Sequence, residues 1–93
     1  MGSGGVPSGG VVITYDRSLL PVGKPNSRMD RYKNGRKVQS RWYDSFGRAM
    51  RDRDFEHQGV NSHFFPHDHI WRWEGGVGIR SKTTIDPDYI HYI

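Results

Sequence analysis

The fold is decided by one continuous stretch, Arg28-Met-Asp-Arg-Tyr-Lys-Asn-Gly-Arg-Lys-Val-Gln-Ser-Arg-Trp-Tyr-Asp-Ser-Phe-Gly-Arg-Ala-Met-Arg-Asp-Arg-Asp-Phe55. Within it, Asn34-Gly35 is a strong signal for a two-residue hairpin turn, and Asp44-Ser-Phe-Gly47 is typical of a four-residue turn. The segments around these turns predict strands at residues 28–33, 36–43 and 48–55. The stretch therefore predicts an antiparallel β-meander.

The two turns also predict a register for these strands. With Asn34-Gly35 as the first loop, Arg31 faces Val38, and the second loop then sets Val38 opposite Arg53. One face of the meander combines apolar residues with arginines. The other face is nearly all polar and carries Arg28, Asp30, Tyr32, Lys37, Arg41, Tyr43, Asp52 and Asp54.

The remaining chain adds short extended segments and little helix. Val11-Val-Ile-Thr-Tyr15 is β-branched and aromatic, which predicts a strand. Residues 68–73 predict another strand, residues 75–78 a glycine-rich turn, and residues 16–20 at most one short helical turn. We expect a mostly β fold (β or α+β): a small antiparallel meander of three or more strands with extra short strands.

Size and composition limit the chain to one small domain. It has 93 residues, of which 33% are hydrophobic, so we expect a thin core. Residues 1–10 predict a flexible Gly/Ser linker, natural or added, and residues 11–93 a single β-rich domain. The absence of cysteine excludes a disulfide, a thiolate zinc site and a cysteine nucleophile. No segment approaches the ~20 apolar residues of a membrane span.

Positive charge is concentrated in the meander. The chain carries 14 Lys and Arg against 10 Asp and Glu, and nine of the basic residues fall between Arg28 and Arg53 with three acidic ones. Arginine suits phosphate recognition, so we expect RNA contact, with cross-strand ion pairs on a solvated face as the alternative. The candidate substrate-binding residues are Arg41, Arg48 and Arg51, with Tyr43 or Tyr32 to stack a base.

Four histidines predict a reactive site, because histidine titrates near neutral pH and is the commonest metal ligand. They are His57, His63, His67 and His69. On a strand, His67 and His69 would share one face. In a reaction without a cofactor, His57 and one of that pair would serve as general base and general acid. Asp54 and Asp52 are also two residues apart; each would either orient a histidine or ligate a metal directly, or would simply pair with the neighbouring arginines.

The same histidines also fit a metal site. Zinc or another divalent ion could be held by His57, His63, His67 and His69, or by some of them, with a position left open for water. A purely structural role for each histidine stays open beside these two readings.

Several motifs together resemble the C-terminal toxic domains of bacterial polymorphic toxins, which end large contact-dependent or prophage-encoded proteins. The resemblance covers roughly residues 23–73, and its most specific part is an acidic-aromatic-histidine run followed by Pro-His-x-His-x-Trp. The motifs are Gly23-Lys-Pro-Asn-Ser27, Tyr32-Lys-Asn-Gly-Arg36, Arg41-Trp-Tyr-Asp44, Gly47-Arg-Ala49, Asp52-Arg-Asp-Phe-Glu-His57 and Pro66-His-Asp-His-Ile-Trp71.

That resemblance implies a domain delivered into a competing cell as part of a larger secreted protein, acting in the cytoplasm there. It also implies a cognate immunity protein in the producer. Many domains of this class are small nucleases, often ribonucleases of α+β fold. The leading hypothesis is thus a ribonuclease with histidine acid–base chemistry. The alternatives are a metal-dependent nuclease and a non-catalytic β module that binds a protein partner or nucleic acid.

Overall fold

The computed structural model describes residues 5–15, 18–55 and 66–82, and in them the chain forms a single six-stranded sheet with no helix. The strands lie side by side in chain order. They are β1 (Val11–Tyr15), β2 (Arg28–Lys33), β3 (Arg36–Tyr43), β4 (Ala49–Asp54), β5 (His67–Glu74) and β6 (Val77–Arg80). The predicted mostly β meander is confirmed, and the three central strands match their predicted limits to within one residue at each end.

Two features of the sheet differ from the prediction. First, β1 pairs with β2 in parallel, so the sheet is mixed, although every other pair is antiparallel. Second, β6 occupies part of the segment predicted as a turn. Gly78 lies in this strand, where a Cβ atom would come within 2.8 Å of the Trp73 ring. A residue with a side chain at this position of β6 would therefore collide with the Trp73 ring.

Both predicted turns of the meander are confirmed. Asn34 and Gly35 have φ angles of 52° and 77°, the positive values that a two-residue type I′ hairpin turn requires. In the second turn, Asp44 Oδ1 accepts hydrogen bonds from the backbone N–H groups of Phe46 and Arg48, at 2.8 and 3.0 Å. The short Asp44 side chain thus stabilises the turn by accepting hydrogen bonds from its backbone.

The predicted register of β2 and β3 is right for the first two pairs after the turn, and a β-bulge at Val38 then sets Arg31 opposite Gln39 instead of Val38. The predicted register of β3 and β4 is wrong from the turn onwards, where Tyr43 pairs with Ala49 instead of Arg48, and a bulge at Met50 then sets Trp42 opposite Arg51. Each bulge adds one unpaired residue to its strand. Arg28 and Asp30, predicted to share a face with Arg41, consequently lie on the opposite face.

Pairing across the sheet now defines two faces, since directly paired residues share a face. We call one the histidine face; its rows are Gln39–Asp54–His67 and Arg41–Asp52–His69. We call the other the Trp42 face; its rows are Ser40–Arg53–Asp68 and Trp42–Arg51–Ile70.

The interior is more polar than apolar, in agreement with the expected thin core. The buried apolar residues are Leu19, Val38, Tyr43 and Ala49, whereas the buried polar or charged ones are Ser27, Asp30, Ser40, Arg41, Asp52, His67, Asp68 and His69. Buried charges must be paired to be tolerated, so ion pairs organise this sheet. Within the part of the chain that the structure describes, no helix has the length and apolar character needed to cross a membrane.

Candidate functional site

Two histidines and one carboxylate converge on the histidine face. Asp54 of β4 pairs directly with His67 of β5, and His69 lies two residues further along β5 on the same face. Asp54 Oδ2 lies 3.4 Å from His69 Nε2 and 3.8 Å from His67 Nε2. The side chains of His67, His69 and Asp54 are 7%, 10% and 19% exposed. The structure thus brings together three of the four residues predicted to be catalytic.

The tautomer of His69 follows from its other ring nitrogen. His69 Nδ1 lies 2.9 Å from the backbone carbonyl oxygen of Ser81. A carbonyl oxygen only accepts hydrogen bonds, so Nδ1 carries the proton. In the neutral ring, Nε2 then presents a lone pair towards Asp54.

Asp54 is held in place by two neighbouring side chains. Gln39 Nε2 donates to Oδ1 at 2.9 Å. Arg80 Nη2 donates to Oδ2 at 3.0 Å and to Oδ1 at 3.3 Å, while Arg80 Nε donates to Asp52 Oδ2 at 2.6 Å. Arg80 therefore links both carboxylates of β4 from its position on β6.

Asp52 is the fully buried centre of this ion-pair network. Arg41 donates two hydrogen bonds to it, of 2.6 and 2.8 Å. Burial alone would raise the pKa of Asp52, but the hydrogen bonds and charge of Arg41 and the hydrogen bond from Arg80 outweigh it, so the pKa lies below its ordinary value. Of the two roles considered for the aspartates, Asp52 has the structural one, pairing with arginine.

This lowered pKa predicts acid sensitivity. A carboxylate whose pKa is lower in the folded than in the unfolded state stabilises the fold fully above the unfolded value, near 3.8, and loses that contribution as the pH falls through the folded value. We expect the free energy of unfolding, measured by urea titration, to decrease from about pH 4 downwards. Asp52→Asn should flatten this decrease; an identical pH profile in the variant would contradict the assignment.

The predicted phosphate-binding arginines are not brought together. Arg41 is buried and also donates to the carbonyl oxygens of Leu19 and Leu20. Arg51 lies on the Trp42 face, with its guanidinium 4.4 Å from the Trp42 ring centroid and its Nε 3.7 Å from Asp68. Arg48 is the most exposed of the three and pairs with Asp44.

Tyr43 is placed where it cannot stack a base. Its side chain is buried, and its hydroxyl donates to the Leu20 carbonyl oxygen at 2.6 Å. Burial raises the pKa of Tyr43, which keeps the proton on this donor. Tyr43 fastens the loop before β2 to the sheet. Tyr32, the other candidate, is half-buried and lies 6.0 Å from the Tyr15 ring.

Three residues near the cluster were not predicted: Gln39, Arg80 and Arg31. Arg31 pairs with Gln39 and so extends the row of Asp54 and His67. Its buried Nε has no hydrogen-bond partner among the described residues. No sequence signal could have placed Arg31 here, because the register depends on the bulge at Val38.

The other two histidines of the prediction, His57 and His63, lie outside the described residues. Their predicted roles in catalysis or metal binding stay predictions. Comparison of the chain with models of known protein families, with characterised proteins and with solved structures finds no match. The resemblance to polymorphic toxin domains therefore also stays a prediction, and function has to be argued from the site.

Proposed function

We propose that this domain is a nuclease of ribonuclease type, with Asp54, His67 and His69 as its reaction centre. The observation that carries the proposal is the convergence of both Nε2 atoms on one carboxylate oxygen, at 3.4 and 3.8 Å, in a nearly buried cluster. Acid–base groups gathered in a nearly buried cluster are typical of reactive sites more than of solvated sheet surfaces. A ribonuclease needs such a centre to take a proton from the attacking oxygen.

The chemistry matches phosphodiester cleavage in RNA. The 2′-hydroxyl loses its proton to the reaction centre as its oxygen attacks phosphorus, and the 5′-oxygen leaves and takes up a proton. Asp54 supports this exchange because a carboxylate beside an imidazole orients the ring and stabilises its protonated form.

Negative charge on the substrate has a candidate partner in Arg31. Arg41 and Arg80 are already engaged by Asp52 and Asp54, whereas Arg31 makes no ion pair with any residue that the structure describes. Its position in the row of Gln39, Asp54 and His67 puts Arg31 on the histidine face, two strands from Asp54. A fixed guanidinium suits a phosphate oxygen by geometry as well as charge, so Arg31 replaces Arg41 and Arg51 as the proposed phosphate contact.

The biological setting is proposed from the motifs alone. The resemblance to polymorphic toxin domains supports delivery into a target cell as part of a larger protein, action on cytoplasmic RNA, and control by a cognate immunity protein. The net charge of +4 fits an acidic protein partner as well as it fits RNA.

The decisive experiment is cleavage of total cellular RNA by the purified domain, with products resolved on a gel. Loss of a proton-transfer group costs about 100- to 10,000-fold in rate, so we expect His67→Ala, His69→Ala and Asp54→Asn each to lose at least 100-fold. Glu74→Gln is the matched control, because Glu74 is 61% exposed and, among the described residues, its one ion pair is with Arg72 on the same strand. Equal rates of RNA cleavage for the wild type and all four variants would show that this centre takes no part in the reaction.

Arg31→Gln gives a separate arm of that experiment. It should weaken RNA binding and reduce its dependence on salt, because one phosphate contact is lost, while leaving the fold unchanged by circular dichroism. The same salt dependence in variant and wild type would exclude Arg31 as the phosphate contact.

A binding module is the second candidate, and the Trp42 face favours it. The guanidinium groups of Arg28, Arg51 and Arg53 lie 5.8, 4.4 and 5.4 Å from the Trp42 ring centroid. Asp30 and Asp68 partly neutralise them. Salt-sensitive RNA binding without cleavage, abolished by changes on this face and not by His67→Ala, would support this function over the nuclease.

A further inference from the structure

The spacing within the Asp54 cluster is wrong for hydrogen bonds. Charge-assisted N–H···O bonds span about 2.7–2.9 Å, whereas Asp54 Oδ2 lies 3.4 and 3.8 Å from the two Nε2 atoms. Ligands about 2.0–2.2 Å from a tetrahedral ion are separated from each other by about 3.3–3.6 Å. One ligand atom from each of Asp54, His67 and His69 also lies within 4.8 Å of the other two. The Asp54–His69 distance of 3.4 Å fits such a shell, and the Asp54–His67 distance of 3.8 Å is close enough for a small side-chain shift to bring it there.

The direction of the lone pairs leads to the same conclusion. Because His69 donates its Nδ1 proton to the Ser81 carbonyl, its neutral ring turns an unshared pair on Nε2 towards a carboxylate oxygen. A lone pair facing a carboxylate is repulsive unless a proton or a metal ion lies between them. Metal-bound histidine commonly has this arrangement, with its second nitrogen donating to a carbonyl or carboxylate.

The three side chains are also held in place before any ion binds. His67 and His69 lie on β5 and are buried, and Asp54 is fixed by Gln39 and Arg80. Arg80 and Arg41 balance the charges of Asp52 and Asp54, so the local charge is close to zero. Rigid ligands on neighbouring strands make a more precise site than ligands on loops.

We propose that Asp54, His67 and His69 bind one zinc ion. Two imidazoles and one carboxylate give the three protein ligands typical of catalytic zinc sites, with a fourth position open for water. This proposal adds a metal ion to the reaction centre of the proposed nuclease. The role of the bound water rests on that proposed function, whereas the binding of zinc does not. A bound zinc ion would supply a hydroxide near neutral pH, because it lowers the pKa of bound water to about 7. That hydroxide, in place of a free imidazole, would take the proton of the attacking hydroxyl and become water.

The test is zinc binding by the whole 93-residue chain at neutral pH, measured by titration calorimetry and by thermal unfolding. We expect one zinc per chain and a rise in Tm of at least about 5 °C at 100-fold saturation. Magnesium should give neither, because it prefers an all-oxygen shell. Cobalt(II) should give the intense visible absorption of a four-coordinate ion.

Single ligand changes should each weaken zinc binding. Loss of an outer-shell partner costs 10- to 100-fold in affinity, so we expect at least about 100-fold for His67→Ala, His69→Ala and Asp54→Asn. Glu74→Gln, a carboxylate change at an exposed site, should bind as the wild type does. Circular dichroism without metal checks that each variant is folded, and His69→Gln replaces His69→Ala where it is not.

Each outcome separates the two proposals. No binding heat and no Tm shift in the folded wild type would overturn the zinc site, and so would binding that survives all three ligand changes. RNA cleavage that persists with chelator and without zinc binding leaves a nuclease working by histidine acid–base chemistry. Zinc binding without RNA cleavage leaves the metal site and removes the nuclease.

Discussion

Replacing Asp52 with alanine is expected to unfold the domain or to leave it barely stable. Asp52 is fully buried and accepts hydrogen bonds from Arg41 and Arg80. Removing one partner of a buried ion pair costs about 3–5 kcal/mol, because the remaining charge is left uncompensated. Small domains have a total of only about 5–15 kcal/mol. Urea unfolding followed by tryptophan fluorescence measures the loss directly.

An exposed ion pair provides the control for this prediction. Arg72 donates to Glu74 at 2.7 Å, a distance close to those at Asp52, but both side chains are more than 60% exposed. Exposed pairs contribute about 0–1 kcal/mol, so Glu74→Ala should change stability little. Asp52→Asn keeps the shape and should lie between the two. If Asp52→Ala costs no more than Glu74→Ala, the buried network is not what holds the sheet together.

Replacing Gly47 with alanine should cost about 2–4 kcal/mol, from two causes that add. Gly47 has a φ of 78°, a backbone angle that residues other than glycine adopt only with strain. A Cβ atom here would also lie 2.4 Å from the carbonyl oxygen of Gly23. This oxygen belongs to the backbone, so it cannot move aside as the end of a flexible side chain could. The measurement is again the free energy of unfolding in urea.

Gly35→Ala isolates the first cause, the backbone strain. Gly35 has nearly the same φ, 77°, but a Cβ atom there would meet nothing within 4 Å. Gly35→Ala should therefore show only the backbone strain of about 1–2 kcal/mol. The difference between the two variants reports the contact with Gly23, and equal losses would show that the loop before β2 moves aside freely.

The turns and strands of the meander were predictable because their signals are local. Asn34-Gly35 and Asp44 to Gly47 consist of residue types that favour tight turns over helices and strands. The two bulges were not predictable, because Val38 and Met50 are ordinary strand residues and nothing in the sequence marks them as unpaired. The extra residue at Val38 was enough to move Arg28 and Asp30 to the face opposite Arg41.

The candidate site was predictable in part for the same reason. The two-residue spacing of His67 and His69 gave their shared face, and Asp54 was expected beside a histidine. Their supporting residues were not expected. Arg80 comes from β6, where Gly78 suggested a turn, and Gln39 faces Asp54 because the turn and the bulge at Met50 together shift β4 by two residues. The carbonyl of Ser81 belongs to the backbone, so no residue type could indicate it.

The side-by-side order of the strands also has a kinetic meaning. Because β2, β3 and β4 each pair with their neighbour in the chain, closing each antiparallel pair requires only a short loop, and short-range contacts speed folding. The pairing of β1 with β2 is different: parallel strands cannot be joined by a tight hairpin, and residues 16–27 must first bring the chain back to the same end of the sheet. We therefore expect the Asn34-Gly35 hairpin to form early and the parallel strand β1 to join the sheet after it.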